Sequence, residues 1–494
     1  MSTQAGIEKL NLLNFGKANI RTLHITWFAF FMTFVVWLGL GPLMPFIKEA
    51  LSLTDQQAKV LLILNVAMTI PARIIVGMLV DKLGPRIMFS AILILGGLIS
   101  IAFAWANSYE MLALLRFLSG FIGAGFVVGI RMIGEWFPAK QTGLAQGIYG
   151  GWGNFGSAGA AVTLPFIAAN FGGADGWRYA ITFASIVAIA YGIFYYTVAR
   201  NTPRGSTYFK PKKSGAMEIT SGGDLILYIL MNIPLFLALA LLTWKLSPAK
   251  MGLINETTTL VIYGILTLIY CAQVWKIWHV NAHVLKEPVP AMQRYKFKQV
   301  AILDWAYLVT FGTELAVVSM LAMFYVEWFG ISKVSAALLA GVYPFINLFA
   351  RPGGGWISDI IGRKRTLIIA FAGITASFLI LGMVDKSWPV WGVVAMTIIG
   401  GIFSKGGSGA VYAMVPLIQR RMTGQIAGMA GAFGNVGAVM FLTMNSLISY
   451  DQFFLFIGVV SGLVFLSILL FLEEPKGQIA ETMPDGTVQM IDVK

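Results

Sequence analysis

The chain of 494 residues is poor in charge, in cysteine and in histidine. Each shortage excludes something. Charged residues make up 12% of the sequence, about half of what a soluble globular protein carries, so a domain surrounded by water does not fit. The single cysteine, Cys271, excludes a disulfide within one chain. The three histidines, His24, His279 and His283, have no metal-ligand spacing to one another or to carboxylates, so neither a metal nor another cofactor is expected. Acidic residues number 22 against 35 basic ones, a net charge of +13. That excess could suggest nucleic acid, but the basic residues fall in alternate short loops instead of one patch, so no nucleic-acid partner is expected. No Ser/His/Asp set, paired carboxylate or phosphate-cradling glycine loop stands in a soluble setting, which argues against an enzyme. A cleavable signal peptide is not expected either, because the first twenty residues are polar and the first apolar run is long and aromatic.

What the chain has instead is apolar length. Hydrophobic residues make up 57%, and the mean hydropathy is +0.78. Runs long enough to span a bilayer, roughly 20 residues each, cover 22–47, 58–80, 87–107, 111–136, 143–170 and 178–198, then 299–327, 333–358, 366–384, 389–418, 424–449 and 452–472. Two further runs, 223–244 and 257–279, lie between these sets of six. The expected class is an all-α polytopic membrane protein of two six-helix bundles with two extra central membrane segments. The divisions read from the sequence are an N-terminal segment 1–20, a first bundle 21–200, a central linker 201–298, a second bundle 299–472 and a tail 473–494. Lys9, Lys17 and Arg21, then Lys140, then Arg200, Arg204, Lys210, Lys212 and Lys213, then Arg420 and Arg421 all fall on one face, which the positive-inside rule makes cytoplasmic. A multi-pass plasma-membrane protein with both termini in the cytoplasm is therefore expected. The tail, with Pro475, Gly477, Pro484 and Gly486, reads as an extension with little structure.

Two short words are each written twice. In "RIIVGMLVDKLGPR", from Arg73, Gly77 follows four residues on, Asp81 four after that and Gly84 three after that. "RPGGGWISDIIGRKR" repeats the spacing as Arg351, Gly355, Asp359 and Gly362. "GLAQGIYGGWGNFG" (143–156) returns as "GQIAGMAGAFGNVG" (424–437), five glycines and one asparagine in register. The chain is two copies of one unit. Gly77, Asp81, Gly84 and Arg86, like Gly355, Asp359, Gly362 and Arg365, would form compact basic turns between spans, where an aspartate can latch two helices and so gate that side; glycine permits the positive φ a tight turn needs. Arg73 and Arg351 lie about 20 Å up their helices from Arg86 and Arg365 at 1.5 Å per residue, beyond easy snorkelling, with no acid four residues away. A charge there is costly and marks a substrate path. Two such forks facing one cavity would clamp a small, planar oxyanion. Glycines three or four apart let neighbouring helices approach. Packing does not explain Asn154 and Asn435, because a buried asparagine must be hydrogen-bonded; each ties helices or touches substrate.

The pattern G-x-x-x-D-x-x-G-x-[RK], "LLRFLSGFIGAG" around Arg116 and "GWRYA" opening span six resemble the major facilitator superfamily. "GGWGNFG" and "GAFGNVG", with "TWFAFFMTFVVW" and "FGTELAVVSM", resemble its nitrate/nitrite porter family, of the cyanobacterial permease type. The resemblance implies a major facilitator fold, alternating access, and nitrate, with nitrite, as substrate. It implies that Arg73 and Arg351 bind the anion with Tyr307 and Phe311 of "YLVTFG", and it adds Asn154, Asn435, Gly153 and Gly434 to the substrate site. Glu314 departs from the exchange-type branch. It is the expected proton carrier, because a carboxylate taken out of water favours its neutral form; the alternative is a static partner for Lys405. Asp304, nearer the span end, is expected to face solvent, and Arg116 and the pair Arg131/Glu135 to be structural. The expectation is a secondary active importer, working as a monomer in the bilayer and coupled to protons. A nitrate/nitrite exchanger, a porter for formate or a similar planar anion, and a nitrate-sensing receptor stay open.

Overall fold

The computed structural model describes residues 11–137, 139–205, 208, 216–286, 294–419, 422–475, 477–482 and 488–493. The side chain of Asp81 is outside that description.

Span one is two helices, α1 (Ala18–Leu38) and α2 (Leu40–Ala50), and span two is α3 (Asp55–Ala67) and α4 (Thr69–Leu83). Pro71 explains the second break: it has no N–H to donate to the carbonyl four residues back, at Ala67. Then follow α5 (Pro85–Ala104), α6 (Tyr109–Leu118), a 3-10 turn (Ser119–Ala124), α7 (Gly125–Trp136), α8 (Ala139–Asn154), α9 (Gly156–Asn170) and α10 (Gly176–Val198). The central runs are α11 (Gly222–Leu246) and α12 (Glu256–Asn281). The second half is α13 (Phe297–Phe329), α14 (Lys333–Phe345), α15 (Asn347–Ile361), α16 (Arg363–Leu381), α17 (Val390–Ile418), α18 (Thr423–Asn445) and α19 (Tyr450–Phe471). Thirteen helical segments among the described residues are long and apolar enough to cross a membrane.

The repeat is visible in the backbone. Spans two and eight break at Met68 and Ile346, each five residues before its arginine. The turns at Gly84 and Gly362 both have positive φ, 86° and 99°. Each turn is capped by a residue three positions past the end of its bundle's sixth span. Asn201 Oδ1 accepts from Arg86 N at 2.9 Å. The Glu474 carboxylate accepts from Arg363 N at 2.8 Å and Lys364 N at 2.6 Å. Both satisfy amides that a helix start leaves without partners.

Position in the bundle follows from burial. The most apolar stretch of α13 is 94% buried and that of α12 only 6%, so α13 runs through the middle and α12 lies on the outside, packed on α11. α11 in turn covers the first turns of α13, where the rings of Tyr228 and Phe297 meet at 5.0 Å, tilted by 50°.

The halves meet at the end opposite the basic loops. There Lys48 bridges Asp55 (2.5 Å) and Glu327 (2.6 Å), and Glu327 also accepts from Tyr450. Lys333 pairs with Glu49, Gln56 donates to Ser446 O, and Lys59 to Asn445 O. Toward the basic loops, Gly147 and Gly428, at matching places in the repeated word, face open space. The ionic and hydrogen-bonded ties between the bundles gather at the end opposite those loops.

The tail corrects one expectation. Gly477–Thr482 and Val488–Val493, here β1 and β2, pair as an antiparallel hairpin. The Pro and Gly residues between these segments in the sequence, read as a sign of little order, are equally the residues of a hairpin turn.

Candidate functional site

The two arginines are buried, each 4% exposed, at mid-span on opposite sides of the seam between bundles. Each reaches across to the other half's glycine word at the same register. Arg73 Nη1 donates to Gly431 O at 2.5 Å. The repeat-equivalent glycine, Gly150, lies against Arg351, whose Nε would be 3.7 Å from a Cβ at that position. Both guanidiniums also sit over the same two rings. Phe126 and Phe311 are each 5.3 Å from the Arg73 carbon, and 5.9 and 5.6 Å from that of Arg351. Such cation–ring contacts hold the forks without neutralising them.

Three side chains of α13 share one face, spaced four and three apart: Tyr307, Phe311 and Glu314. Tyr307 and Phe311 stack at 5.1 Å and 11°. The Tyr307 hydroxyl accepts from Arg351 Nη2 at 2.5 Å, and Tyr412 closes the cage edge-on at 4.9 Å. Arg73 Nε and Nη2 and Arg351 Nη1 have no protein acceptor among the described residues. Buried donors of that kind are expensive unless something accepts from them. Chemically the cage is cationic, flat-walled and rich in donors.

One helical turn away lies a second polar group. Glu314 is 2% exposed, and its Oε1 accepts from Asn347 Nδ2 at 2.7 Å and from Asn154 Nδ2 at 3.3 Å. Asn154 comes from the first bundle and the other two from the second. Lys405, expected as a possible partner for Glu314, makes no hydrogen bond among the described residues; its ammonium lies over the Tyr343 ring, 3.3 Å from the centroid.

The structure thus brings together Arg73, Arg351, Tyr307 and Phe311, with Asn154 and Glu314 adjoining. Asn435 is fully buried and donates to Gly431 O at 3.0 Å, the carbonyl that Arg73 also uses. Gly153 and Gly434 make room for rings: a Cβ would collide with Phe30 at the first, and meet Phe311 and Tyr307 at 2.7 and 2.9 Å at the second. The turn residues stand apart, at the basic face. Asp359 pairs with Arg363 at 2.7 Å and so joins α15 to α16; Arg86 Nε donates to Tyr196 O at 2.6 Å; Arg365 is exposed; Gly77 and Gly355 pack near Val127 and Gly409. The latch expected of Asp81 lies outside the described residues.

Asp304 corrects an expectation. It is fully buried and both oxygens lack a partner among the described residues. The extra helix α11 covers that end of α13, which a plain twelve-span plan would leave open. Arg116, bound to Trp37 O, and Arg131, paired with Glu135, are tied within their own bundle. Phe126, Tyr412 and Asn347 are additional. The first two carry no sequence signal. Asn347 carries a faint one, standing four residues before Arg351 as Thr69 does before Arg73.

Comparison with known proteins fits this geometry. A family model described as Major Facilitator Superfamily matches residues 26–279 and 303–489. The chain is similar to the nitrate/nitrite transporter NrtP of Nostoc punctiforme, 43% identical, with 93% of each chain covered. It is 41% identical to the NrtP of Picosynechococcus, covering 95% of this chain and 96% of that one. Among solved structures it is similar to a partially occluded inward open conformation of the xylose transporter XylE from E. coli (TM-score 0.61, 17% identity, 93% and 99% covered), a likeness of fold alone.

Proposed function

The chain belongs to the major facilitator superfamily, in the branch of the nitrate/nitrite transporters, and on that premise we propose that it imports nitrate by proton-coupled symport. The observation that carries this reading is the pair of arginines, one from each bundle, held over the same two rings. A planar, weakly hydrated anion suits both the forks and the flat walls. Nitrite would share the site.

In this reading the bundles 21–200 and 299–472 rock about the seam, with 201–298 as a linker. Each arginine belongs to one bundle and touches the other, so the anion sits where the motion is centred. The turns at Gly84 and Gly362 gate the basic side, and the Lys48–Glu327 and Lys333–Glu49 ties gate the far side. The basic face and both termini are cytoplasmic, the membrane is the plasma membrane, and one chain suffices, since both forks come from it.

Charge arithmetic sets the coupling. Bringing one negative charge in against an inside-negative potential costs about 2.3 kcal/mol per 100 mV. Accumulation therefore needs cations, and at least two protons give net inward positive charge. Glu314 is the carrier we assign, buried one turn from the anion cage. Exchange against nitrite is the second reading. Lys405 favours it, because an ammonium buried nearby would make Glu314 a fixed counter-charge.

The test is reconstitution in liposomes with labelled nitrate. Accumulation driven by an inward proton gradient supports symport. Uptake only against internal nitrite makes the protein an exchanger. Absence of nitrate flux from folded protein in every condition returns the formate-like porter.

A further inference from the structure

Three stripes converge one turn from the anion cage. On α13, Glu314 follows Phe311 by three residues and Tyr307 by seven. On α15, Asn347 precedes Arg351 by four. On α8, Asn154 follows Gly150, the residue against Arg351, by four. Residues three or four apart on a helix are neighbours on one face. The Glu314 carboxylate is therefore linked to the anion cage along three helices at once.

Its two amide partners differ. Asn347 donates at 2.7 Å from Glu314's own bundle, and Asn154 at 3.3 Å from across the seam. The Asn154 bond is the longer and weaker one. Asn154 Oδ1 has no partner among the described residues, so nothing there fixes the amide's rotation. The groups acting on Glu314 from around it are Arg351 on α15, Lys405 on α17, Tyr343 on α14 and Tyr307 on α13.

We propose that Asn154 reports the charge of Glu314 to the anion site. An ionised Glu314 holds the Asn154 amide; a neutral one is a poorer acceptor, and the amide turns along its helix face toward the anion. Proton and anion then bind cooperatively through one side chain, and coupling of this kind is reciprocal. The inference rests on the proposed function and adds its coupling residue. Asn435 has no counterpart role: its amide is bonded within its own helix. Thr69, at the place matching Asn347, is bonded to the carbonyls of Asn65 and Gly120. Only one half of the pseudo-symmetric site carries the switch.

The experiment measures nitrate affinity of the purified full chain in mildly alkaline and mildly acidic buffer. Wild-type protein is expected to bind about fivefold or more tightly in acid. Glu314→Gln is expected to show no such change, and Asn154→Ala to lose most of it. Asn154→Ser, which keeps a small polar side chain too short to bridge to Glu314, serves if the alanine variant does not elute as a single folded species. If the Asn154 variants keep the whole wild-type pH response, the coupling runs through space and the inference is overturned. A wild-type affinity that ignores pH overturns it as well. Wild-type protein that does not bind nitrate at either pH sinks the proposed function instead.

Discussion

Lysine carries the same charge as arginine but presents it as a point, and the cage is built for a fork. Arg351 uses one nitrogen on Tyr307 and keeps another without a protein acceptor, all within reach of four aromatic rings. Arg351→Lys is expected to cut nitrate uptake at least tenfold, a loss of about 1.4 kcal/mol or more, while expression and folding persist. Near-normal uptake would remove Arg351 from the site. Glu314→Gln is expected to leave nitrate exchange intact and to erase the dependence of uptake on external pH; an unchanged pH profile would make Glu314 structural. The arginines and Glu314 were legible in the sequence because a charge in an apolar run is conspicuous. Phe126 and Tyr412 were not, since one aromatic among many carries no mark of the face it takes. Asp304 misled for a related reason: its distance from the span end was correct, but α11 covers that end.

Helices approach each other here through glycine, and not all glycines count equally. At Gly354 a Cβ would collide with the Gly406 backbone of α17, whereas at Gly353, one residue earlier, it would meet nothing within 4 Å. The adjacent pair makes an internal control. Gly354→Ala should destabilise by roughly 1–3 kcal/mol through overpacking. Gly353→Ala should be neutral, or stabilise by up to about 1 kcal/mol through lower chain entropy when unfolded. Thermal stability in detergent, followed by size exclusion, separates the two; equal behaviour would mean that α15 and α17 part more easily than their contact implies. The repeated words told which helices carry glycine but not which partner each glycine meets. Gly156 and Gly437 press on the backbones of α1 and α13, matching roles that the register alone could suggest. Gly153 and Gly434 admit rings, which only the three-dimensional arrangement reveals.

At the level of the whole molecule, the ionic ties described between the bundles lie at the far end. Lys48, Glu327, Tyr450, Lys333 and Glu49 hold the far end shut. Rocking must break those ties. Lys48→Ala combined with Glu327→Ala is expected to shift the population toward opening at the far face, read as faster labelling of a cysteine placed at Ser446 after Cys271 is replaced. Unchanged labelling would show that apolar packing, not charge, holds that end. Two bundles, an even number of extra spans and a common basic face could all be counted in the sequence. Which end is closed could not, because the same contacts are available to either arrangement.

The caps at the basic face have a consequence in time. The third span of each bundle is capped by a residue beyond the sixth, Asn201 in the first half and Glu474 in the second. Neither turn can be completed until its whole bundle has been synthesised. At about 5–20 residues per second, the second clasp closes roughly 14 to 55 seconds after the first. During that interval a nascent first bundle stands in the membrane with Phe126 as the only ring of the cage over its Arg73, until α13 brings Phe311 and α18 the carbonyl of Gly431.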